Sequence, residues 1–377
     1  MFTTAEYQQR IALLQAKLLV HDLDAYIVRT DTNGIYLTGV DYHSMERPVL
    51  IVVPAQGEPT LIVPRMEQEQ LGVAPAIKKM AVYWELEAKQ GRGWVESLHA
   101  VLGSAQRVGV EPLAEIDLVS ALADYEWQAL PLVEDLRVIK SSAEVALTRR
   151  VADYWTQIMN AMLAKAKAGV PLSTLMAAAA EHTQPIMDKE PQANWINSRF
   201  VQFFQCAPAS GSPHHFSYRA DEVLPNGPTV INAVGAIGHY NAENERTILT
   251  GSYTKEHAEL FDLAQQAQQM AFDLIKPGVR CADVDCAIQT FFIKEGVGEH
   301  MRHRVGHGFG IEPHERPYTS EGSEEVYQPN MVISVEPGLY VDGVGGFRHS
   351  DTVLITTTGM EVLSDGTPTE RRYLSFE

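Results

Sequence analysis

Apolar residues recur with a helical period in some segments of the chain and form short runs in others. This pattern predicts the secondary structure. Near the N-terminus Ile11, Leu14 and Leu18 fall on one face of a helix, which Thr3 and Glu6 can begin as a capping box. Short apolar runs bounded by turn residues predict strands at Ala25–Arg29, Ile35–Thr38, Val49–Val53, Thr60–Val63 and Val108–Val110. Strands that alternate with helices indicate a compact α/β domain over residues 1–139.

Longer helices begin near residue 140, which we take as a domain boundary. Ser141 and Glu144 form a capping box for a helix predicted to run to Lys167, and Ser173 can cap the next one. Later elements are predicted at Thr229–Asn232, Tyr240–Leu249, Lys255–Ile275, Ala282–Lys294 and Val332–Thr356. Two successive groups of helices and strands indicate an internal structural duplication within residues 140–377.

Composition narrows the class of protein. A chain of 377 residues suits two domains, and a net charge of -18 argues against a nucleic-acid partner, which requires clustered Lys and Arg. No apolar run approaches the ~18 residues of a membrane span, and no signal peptide is evident. Cys206, Cys281 and Cys286 form no CxxC pair, so we expect buried thiols in a reducing compartment. We therefore expect a cytoplasmic protein without a membrane or nucleic-acid partner.

An acidic strand is the most informative segment. Gly235 and Gly238 mark a turn, and along the strand that follows Glu243, Glu245 and Thr247 share one face because side chains alternate. Neighbouring carboxylates repel each other unless a cation or a proton lies between them. A solvated strand face is the alternative, but a glycine-rich apolar turn next to it favours a cation site.

Histidines and a further carboxylate follow downstream. His307 lies in a Gly-His-Gly-Phe-Gly stretch (306–310). Glycines at these positions indicate that another group must approach the backbone closely. The glycines make a helix unlikely there, so we interpret His300 and His303 as ordinary surface or hydrogen-bonding residues. Glu336 precedes Pro-Gly at a predicted strand end, a common place for a functional carboxylate.

Four segments, taken in order, resemble the creatinase, prolidase and aminopeptidase P superfamily, together with the junction over residues 136–150. The segments are residues 211–216, 231–247, 306–317 and 334–351. The resemblance implies an α/β (α+β) fold, with a creatinase-like N-terminal α/β domain over residues 1–139. It also implies a pita-bread C-terminal domain of two pseudo-symmetric halves over residues 140–377, and often a homodimer.

The metallopeptidases of this superfamily bind two divalent ions through Asp, Asp, His, Glu and Glu. The corresponding positions here are Asn232, Glu243, His307, Glu336 and Ser350. Two of the five ligands have lost their anionic oxygens, and a hard divalent cation is held mainly by carboxylates. The resemblance therefore implies either no metal or one ion (Mn, Zn or Co) at Glu243, His307 and Glu336.

Creatinase, which works without metal, is similar in having Asn at the first ligand position and Glu-Arg-Thr at the positions of residues 245–247. This resemblance implies that Glu245 and Glu336 hold a cationic substrate group and that His215 is the acid/base catalyst. His314, Asn232 and Arg348 are the further substrate-binding residues that we expect.

The sequence thus predicts a hydrolase of a C–N bond in a small cationic or zwitterionic amide, amidine or Xaa-Pro-type dipeptide. Two alternatives stay open, a non-catalytic binding protein on the same scaffold and a lyase of a charged metabolite. Related enzymes place an N-terminal loop over the neighbouring subunit's cleft. We therefore expect a homodimer in which Arg47 binds a substrate carboxylate in the partner's site and Tyr42 shapes the pocket.

Overall fold

The computed structural model describes residues 2–190, 193–217, 219 and 221–377. The chain divides into two compact units, Met1–Arg137 and Val138–Glu377, close to the predicted boundary after residue 139. Both units combine helices with strands, as the predicted α/β (α+β) class requires.

The first unit is built around a mixed sheet. Its helices are α1 (Thr4–Val20), α2 (Asp31–Thr38), α3 (Gln68–Leu71), α4 (Trp94–Leu102), α5 (Ile116–Ala121) and α6 (Leu132–Val138), the last of which ends one residue inside the second unit. Its strands are β1 (Ala25–Val28), β2 (Leu50–Pro54), β3 (Thr60–Pro64), β4 (Lys79–Tyr83), β5 (Arg107–Val110) and β6 (Glu126–Ala129). The strand order is β4-β3-β2-β1-β5-β6, and the apolar residues of β1, β2 and β5 form the core against α4.

The strand predicted at Ile35–Thr38 is wrong, since these residues end helix α2. The Thr30 hydroxyl caps that helix by accepting a hydrogen bond from the Asn33 amide, and Gly39 closes it in the left-handed region at φ 68°. Tyr36 and Leu37 are buried, so packing and caps outweigh the apolar run that suggested a strand.

The second unit begins with paired helices that cover a large sheet. Its helices are α7 (Ser142–Leu163), α8 (Leu172–Ala180), α9 (Thr183–Lys189), α10 (Lys255–Leu274) and α11 (Cys281–Lys294). Its strands are β7 (Arg199–Cys206), β8 (Gly227–Ile237), β9 (Tyr240–Thr250), β10 (Gly306–Gly308), β11 (Glu315–Thr319), β12 (Val332–Val335), β13 (Gly338–Val341), β14 (Gly345–Arg348), β15 (Ser350–Ile355), β16 (Met360–Val362) and β17 (Ser375–Phe376).

The large sheet has the order β11-β10-β12-β15-β9-β8-β7, with β16 paired to β15 and β17 to β9. Strands β13 and β14 form a separate antiparallel pair. Helix α7 packs on β9 through a fully buried face that includes Val151, Trp155 and Ile158. This packing holds the long β8–β9 hairpin, which carries the acidic strand segment.

Helix α7 begins at the predicted capping box, where Ser141 and Glu144 satisfy each other's backbone amides. Its predicted end at Lys167 is wrong, because the helix stops at Leu163. The prediction that Ser173 caps the next helix is also wrong. Helix α8 begins at Leu172 with Pro171 at its N-cap and no capping side chain.

Gly235 lets two strands of the site approach each other closely. Its φ is 140°, and a Cβ at this position would lie 1.9 Å from the backbone oxygen of Arg199 on β7. Any L side chain would both strain the backbone and push β7 away from β8. The glycine that the sequence suggested as a turn residue is therefore a strand-packing residue.

The thiols are only partly as predicted. Cys281 is buried and Cys206 half-buried, but Cys286 is exposed, so the buried-thiol prediction is wrong for that residue. Cys286 is five residues beyond Cys281, about 1.4 helical turns, and therefore lies on the solvent side of α11. In the ranges that the structure describes, no helix combines the length and apolarity needed to cross a membrane.

We expect Gly235→Ala to lower the free energy of unfolding by at least about 3 kcal/mol, because strain and steric clash combine. Gly278→Ala is the matched control. That glycine has φ 87°, but no atom lies within 4 Å of the point that a Cβ would occupy, so the change should cost only about 1 kcal/mol. Urea unfolding of both variants measures the difference. Equal losses would contradict the close-approach argument.

Candidate active site

A cavity of about 480 Å³ lies in the second unit, at the face of the large sheet. Four residues singled out from the sequence line it together: Glu243, Glu245, His307 and Glu336. They come from different elements, since the first two lie on β9, the third on β10 and the last directly after β12. The structure therefore brings the acidic strand, the glycine-rich stretch and the Glu-Pro-Gly segment to one place.

Strand register explains the arrangement. Asn232 on β8 and Ser350 on β15 both pair with Glu245 on β9, so the three residues form one row across the sheet. Side-chain alternation sends Glu243 and Glu245 into the cavity, as predicted. Asn244 points to the other face, where its amide donates to the Thr367 hydroxyl at 2.9 Å.

Arg348 is the buried cation of the site. Its Nε donates to Oε2 of Glu245 at 2.5 Å and lies 3.8 Å from Oε2 of Glu336. One Nη donates to the Asn232 side-chain oxygen at 3.1 Å, and the other donates to the Tyr340 hydroxyl at 2.9 Å. The cation expected between the carboxylates is therefore the guanidinium of Arg348. It binds Glu245, which we expected to hold a cationic group of the substrate.

A second group of ligand atoms lies beside this ion pair. One side-chain atom from each of Glu243, His307 and Glu336 lies within 4.8 Å of the others. Nε2 of His307 is 3.1 Å from Oε1 of Glu336, while its Nδ1 lies 3.1 Å from the Gly308 carbonyl oxygen. The Gly308 contact orients the ring so that Nε2 faces the carboxylates.

Burial and neighbouring charges separate the pKa values of the carboxyls. Burial, together with Glu336 and Glu245, raises the pKa of the Glu243 carboxyl well above its usual range. Burial also raises the pKa of Glu245, although Arg348 opposes that shift. For Glu336 burial alone would raise the pKa, but His307 and Arg348 outweigh it and lower the pKa. Glu243 is thus the carboxyl that lacks a compensating charge.

These contacts decide how many metal ions the residues can hold. The Asn232 oxygen faces a guanidinium, and the Ser350 hydroxyl donates a hydrogen bond to Oε1 of Glu243 at 2.5 Å. Neither residue offers an anionic oxygen, so the described residues do not fit the two-ion cluster. Glu243, His307 and Glu336 do fit a single ion, since a histidine with two carboxylates suits a divalent transition metal.

Three histidines surround the ligand group. The His314 ring centroid lies 4.0 Å from that of His307, and burial together with His307 lowers the pKa of His314 to about 4. His303 bonds the Arg304 carbonyl through Nδ1 and the Tyr340 hydroxyl through Nε2, both at 2.8 Å. Burial lowers its pKa, so its ring is neutral near pH 7.

The third histidine differs from the one that the sequence indicated. Both His214 and His215 are exposed, but only His214 lines the cavity. A tight turn, in which the His215 amide donates to the Ser212 carbonyl, directs the two neighbouring side chains differently. The prediction of an acid/base histidine in this segment stays a prediction, and the geometry moves it to His214.

Sequence reasoning missed several cavity residues. His303 was interpreted as an ordinary surface or hydrogen-bonding residue; it is hydrogen-bonded through both ring nitrogens, and its place in the cavity was not predicted. Arg199 and Arg304 were not considered, because isolated arginines carry no sequence pattern. Arg47 and Tyr42 belong to the first unit, where Arg47 already forms ion pairs with Glu46 and Glu85 and burial raises the pKa of Tyr42 to about 12. Their role in a partner's site stays a prediction.

A pita-bread fold with a histidine and two carboxylates in its cavity defines a hydrolase of the metallopeptidase type. Residues 146–357, more than half of the chain, match metallopeptidase family M24, and residues 10–151 match the creatinase/prolidase N-terminal domain. The chain therefore belongs to metallopeptidase family M24. The family resemblance and the fold predicted from it are confirmed.

Relatives and solved structures agree with this family. An uncharacterised peptidase of Staphylococcus aureus (strain USA300) is 27% identical over 353 residues, covering 90% of this chain and 94% of that protein. The dipeptidase PepE from Mycobacterium ulcerans is 25% identical, with a TM-score of 0.82 over 98% of each chain. A prolidase from Thermococcus sibiricus has a TM-score of 0.84 at 21% identity, covering 98% of this chain and 99% of that one, and shows the fold alone.

We predict at most one divalent ion per chain. Elemental analysis of untagged protein should find one Mn, Zn or Co or fewer, and Glu243→Gln should lower that content further because it removes a ligand. A variant with Asn232→Asp and Ser350→Glu should bind about two ions, since it restores the lost anionic oxygens while Glu245 stays the partner of Arg348. Two tightly held ions in the wild-type chain would contradict the prediction.

His349 is a buried histidine outside the cavity. It is fully buried against Phe261, at a ring-centroid distance of 4.9 Å, and neither ring nitrogen has a partner among the described residues. Burial, with the charge of Arg246, lowers the pKa of His349 well below its usual range. The ring is therefore neutral in the folded protein.

This burial predicts an acid-sensitive stability. Below the unfolded pKa of about 6.5 the unfolded chain takes up a proton that the folded chain excludes, so stability falls as the pH drops. Between pH 7 and pH 5, His349→Leu should lose about 2 kcal/mol less free energy of unfolding than the wild type. Urea unfolding at a series of pH values measures this loss. Parallel curves for the two proteins would contradict the assignment.

Proposed function

We propose that this chain hydrolyses the C–N bond of short peptides or related small zwitterionic amides, with one divalent ion at Glu243, His307 and Glu336. The observation that carries the proposal is the convergence of these three ligand atoms within 4.8 Å in a cavity large enough for a small substrate. The name of the Mycobacterium ulcerans dipeptidase, which is 25% identical, supports a peptide substrate.

The chain's own groups supply positioning and proton transfer. When bound, the ion would supply Lewis acidity toward a carbonyl and lower the pKa of bound water. Burial raises the pKa of the Glu243 carboxyl when no cation is bound, so this group would give up its proton as it binds the ion. Arg348 holds Glu245 and faces Glu336, which keeps the carboxylates in fixed positions before substrate binds.

A histidine is the proposed acid for the leaving nitrogen. His214 lines the cavity, and we propose that it takes the role first predicted for His215. His314, next to His307 at the cavity mouth, and Asn232 in the cavity wall are proposed to contact the substrate. Arg348 acts mainly through Glu245 rather than on the substrate, because its guanidinium is already bonded to chain groups.

A metal-free, creatinase-like route is a second candidate. Nε2 of His307 lies 3.1 Å from Oε1 of Glu336, and Arg348 donates a hydrogen bond to Glu245. Both carboxylates therefore have partners within the chain. In this route a substrate cation rather than a metal ion would balance Glu243. Persistence of full activity after prolonged chelation would favour it.

We further propose a cytoplasmic homodimer. The three cysteines are free thiols, which suits a reducing compartment. A two-fold dimer in which Arg47 of one subunit reaches its partner's site would require Arg47 to exchange its ion pairs with Glu46 and Glu85 for a substrate carboxylate. Sedimentation at working concentration tests the dimer.

The activity test uses untagged protein with Mn, Zn or Co added, or with chelator, against Xaa-Pro dipeptides, other dipeptides and small amidines. We expect release of free amine with a dipeptide, and incorporation of one oxygen from labelled water into the acid product. Glu336→Gln should lower turnover at least about 100-fold, because it removes a ligand and the partner of His307. His214→Ala should lower it by on the order of 100-fold, and His215→Ala should not.

Glu361→Gln is the control, since that exposed carboxylate pairs with Arg149 outside the cavity. Substrate binding without turnover would support the alternative of a non-catalytic binding protein. Cleavage without oxygen from water would support a lyase. Full activity of Glu336→Gln would exclude the proposed site.

A further inference from the structure

Two guanidinium groups besides that of Arg348 line the cavity. Arg199 and Arg304 both line it, and neither has a carboxylate partner among the residues that the structure describes. Arg304 is held by a hydrogen bond from its Nε to the Gly306 carbonyl at 3.1 Å and by stacking over the Tyr318 ring at 4.8 Å. Its remaining N–H groups have no partner in that part of the chain.

Arg199 is fixed by an asparagine rather than by an anion. One Nη of Arg199 donates to the side-chain oxygen of Asn241 at 3.3 Å. The Asn241 amide nitrogen is buried and donates to the carbonyls of Gly310 and Ile311 at 3.0 and 2.8 Å, so its oxygen is the atom that faces Arg199. The guanidinium is therefore oriented while its charge is left uncompensated.

Strand register sets the distance between Arg199 and the carboxylates Glu243 and Glu245. Arg199 on β7 pairs with Ala236 on β8, which pairs with Asn241 on β9. The next row with the same side-chain direction contains Glu243, and the row after it contains Glu245. Rows two residues apart are separated by roughly 7 Å along a strand.

The spacing matches a short zwitterion. The one residue after the scissile bond spans only about 3.5 Å, and the long side chain of Arg199 can reach from its own row to meet the carboxylate of a peptide whose scissile bond lies at the Glu243 row. Guanidinium groups bind carboxylates through two parallel hydrogen bonds. The acidic rows would repel a carboxylate at the other end, which fixes the direction of binding.

We propose that Arg199, oriented by Asn241, binds the free carboxylate of the substrate and makes the enzyme specific for substrates that end one residue after the scissile bond. The inference rests on the proposed hydrolase function. It places carboxylate recognition within the same chain, in contrast to the role predicted for Arg47 of a partner subunit.

The test compares a Xaa-Pro dipeptide with its C-terminal amide. The wild-type enzyme should prefer the acid by at least about 10-fold in kcat/KM, because a hydrogen bond to a charged group is worth that factor or more. Arg199→Gln should lower kcat/KM for the acid about 10- to 100-fold, mainly through KM, and leave the amide within about 3-fold. Arg199→Lys should recover part of the loss. Asn241→Asp should also reduce activity on the acid selectively, because it places an anion beside Arg199.

Calorimetric binding of proline and prolinamide gives a readout independent of turnover, and Arg199→Gln should weaken only the binding of proline. Arg302→Gln is the matched control, since Arg302 pairs with Asp342 and does not line the cavity. Equal use of acid and amide by the wild type, or an unchanged preference in Arg199→Gln, would overturn the inference while leaving the hydrolase intact. Loss of the preference in Arg47→Ala alone would overturn it in favour of the partner subunit. No cleavage of either substrate would instead contradict the proposed function.

Discussion

The buried ion pair between Arg348 and Glu245 is the interaction on which the candidate site depends. Three carboxylates lie in one cavity, and burying them without a compensating charge would cost several kcal/mol for each ion. Arg348 neutralises Glu245 at 2.5 Å, faces Glu336 at 3.8 Å and bonds Asn232 and Tyr340, so a single side chain connects four strands or strand ends. Removing one partner of such a pair would destabilise the fold by about 3–5 kcal/mol.

This internal cation also limits the chemistry. If all three carboxyls are ionised, Arg348 leaves an excess of two negative charges, which one divalent ion would balance. Glu243 is the carboxyl that lacks a compensating charge. For that reason its pKa is raised when no further cation is bound. The amide at position 232 and the hydroxyl at position 350 offer no anionic oxygen, which leaves a site that fits a single ion.

Opposite charges are separated along the strands of the same cavity. Glu243 and Glu245 occupy the middle and far rows of strands β7–β9, whereas Arg199 occupies the near row. A substrate with charges at both ends would be oriented by this field before any reaction occurs. The arrangement depends on the close contact of β7 with β8, which a side chain at Gly235 would prevent.

Much of this arrangement could be predicted from the sequence, because it depends on local periodicity. The capping box at Ser141, the acidic strand of the hairpin and the shared face of Glu243 and Glu245 all follow from residue spacing. The family and its domain order followed from the four motif segments. The strand predicted at Ile35–Thr38 was wrong because the helix caps were overlooked. These residues belong to a helix that Thr30, Gly39 and packing stabilise.

Only the tertiary structure decided which side chains meet. The sequence could not indicate that Arg348 binds Glu245, because residues 103 positions apart become neighbours through strand register alone. For the same reason it did not reveal Arg199 and His303, and it selected His215 where a tight turn presents His214. Local sequence determines the direction of each side chain along its strand, whereas the contacts between strands require the complete sheet.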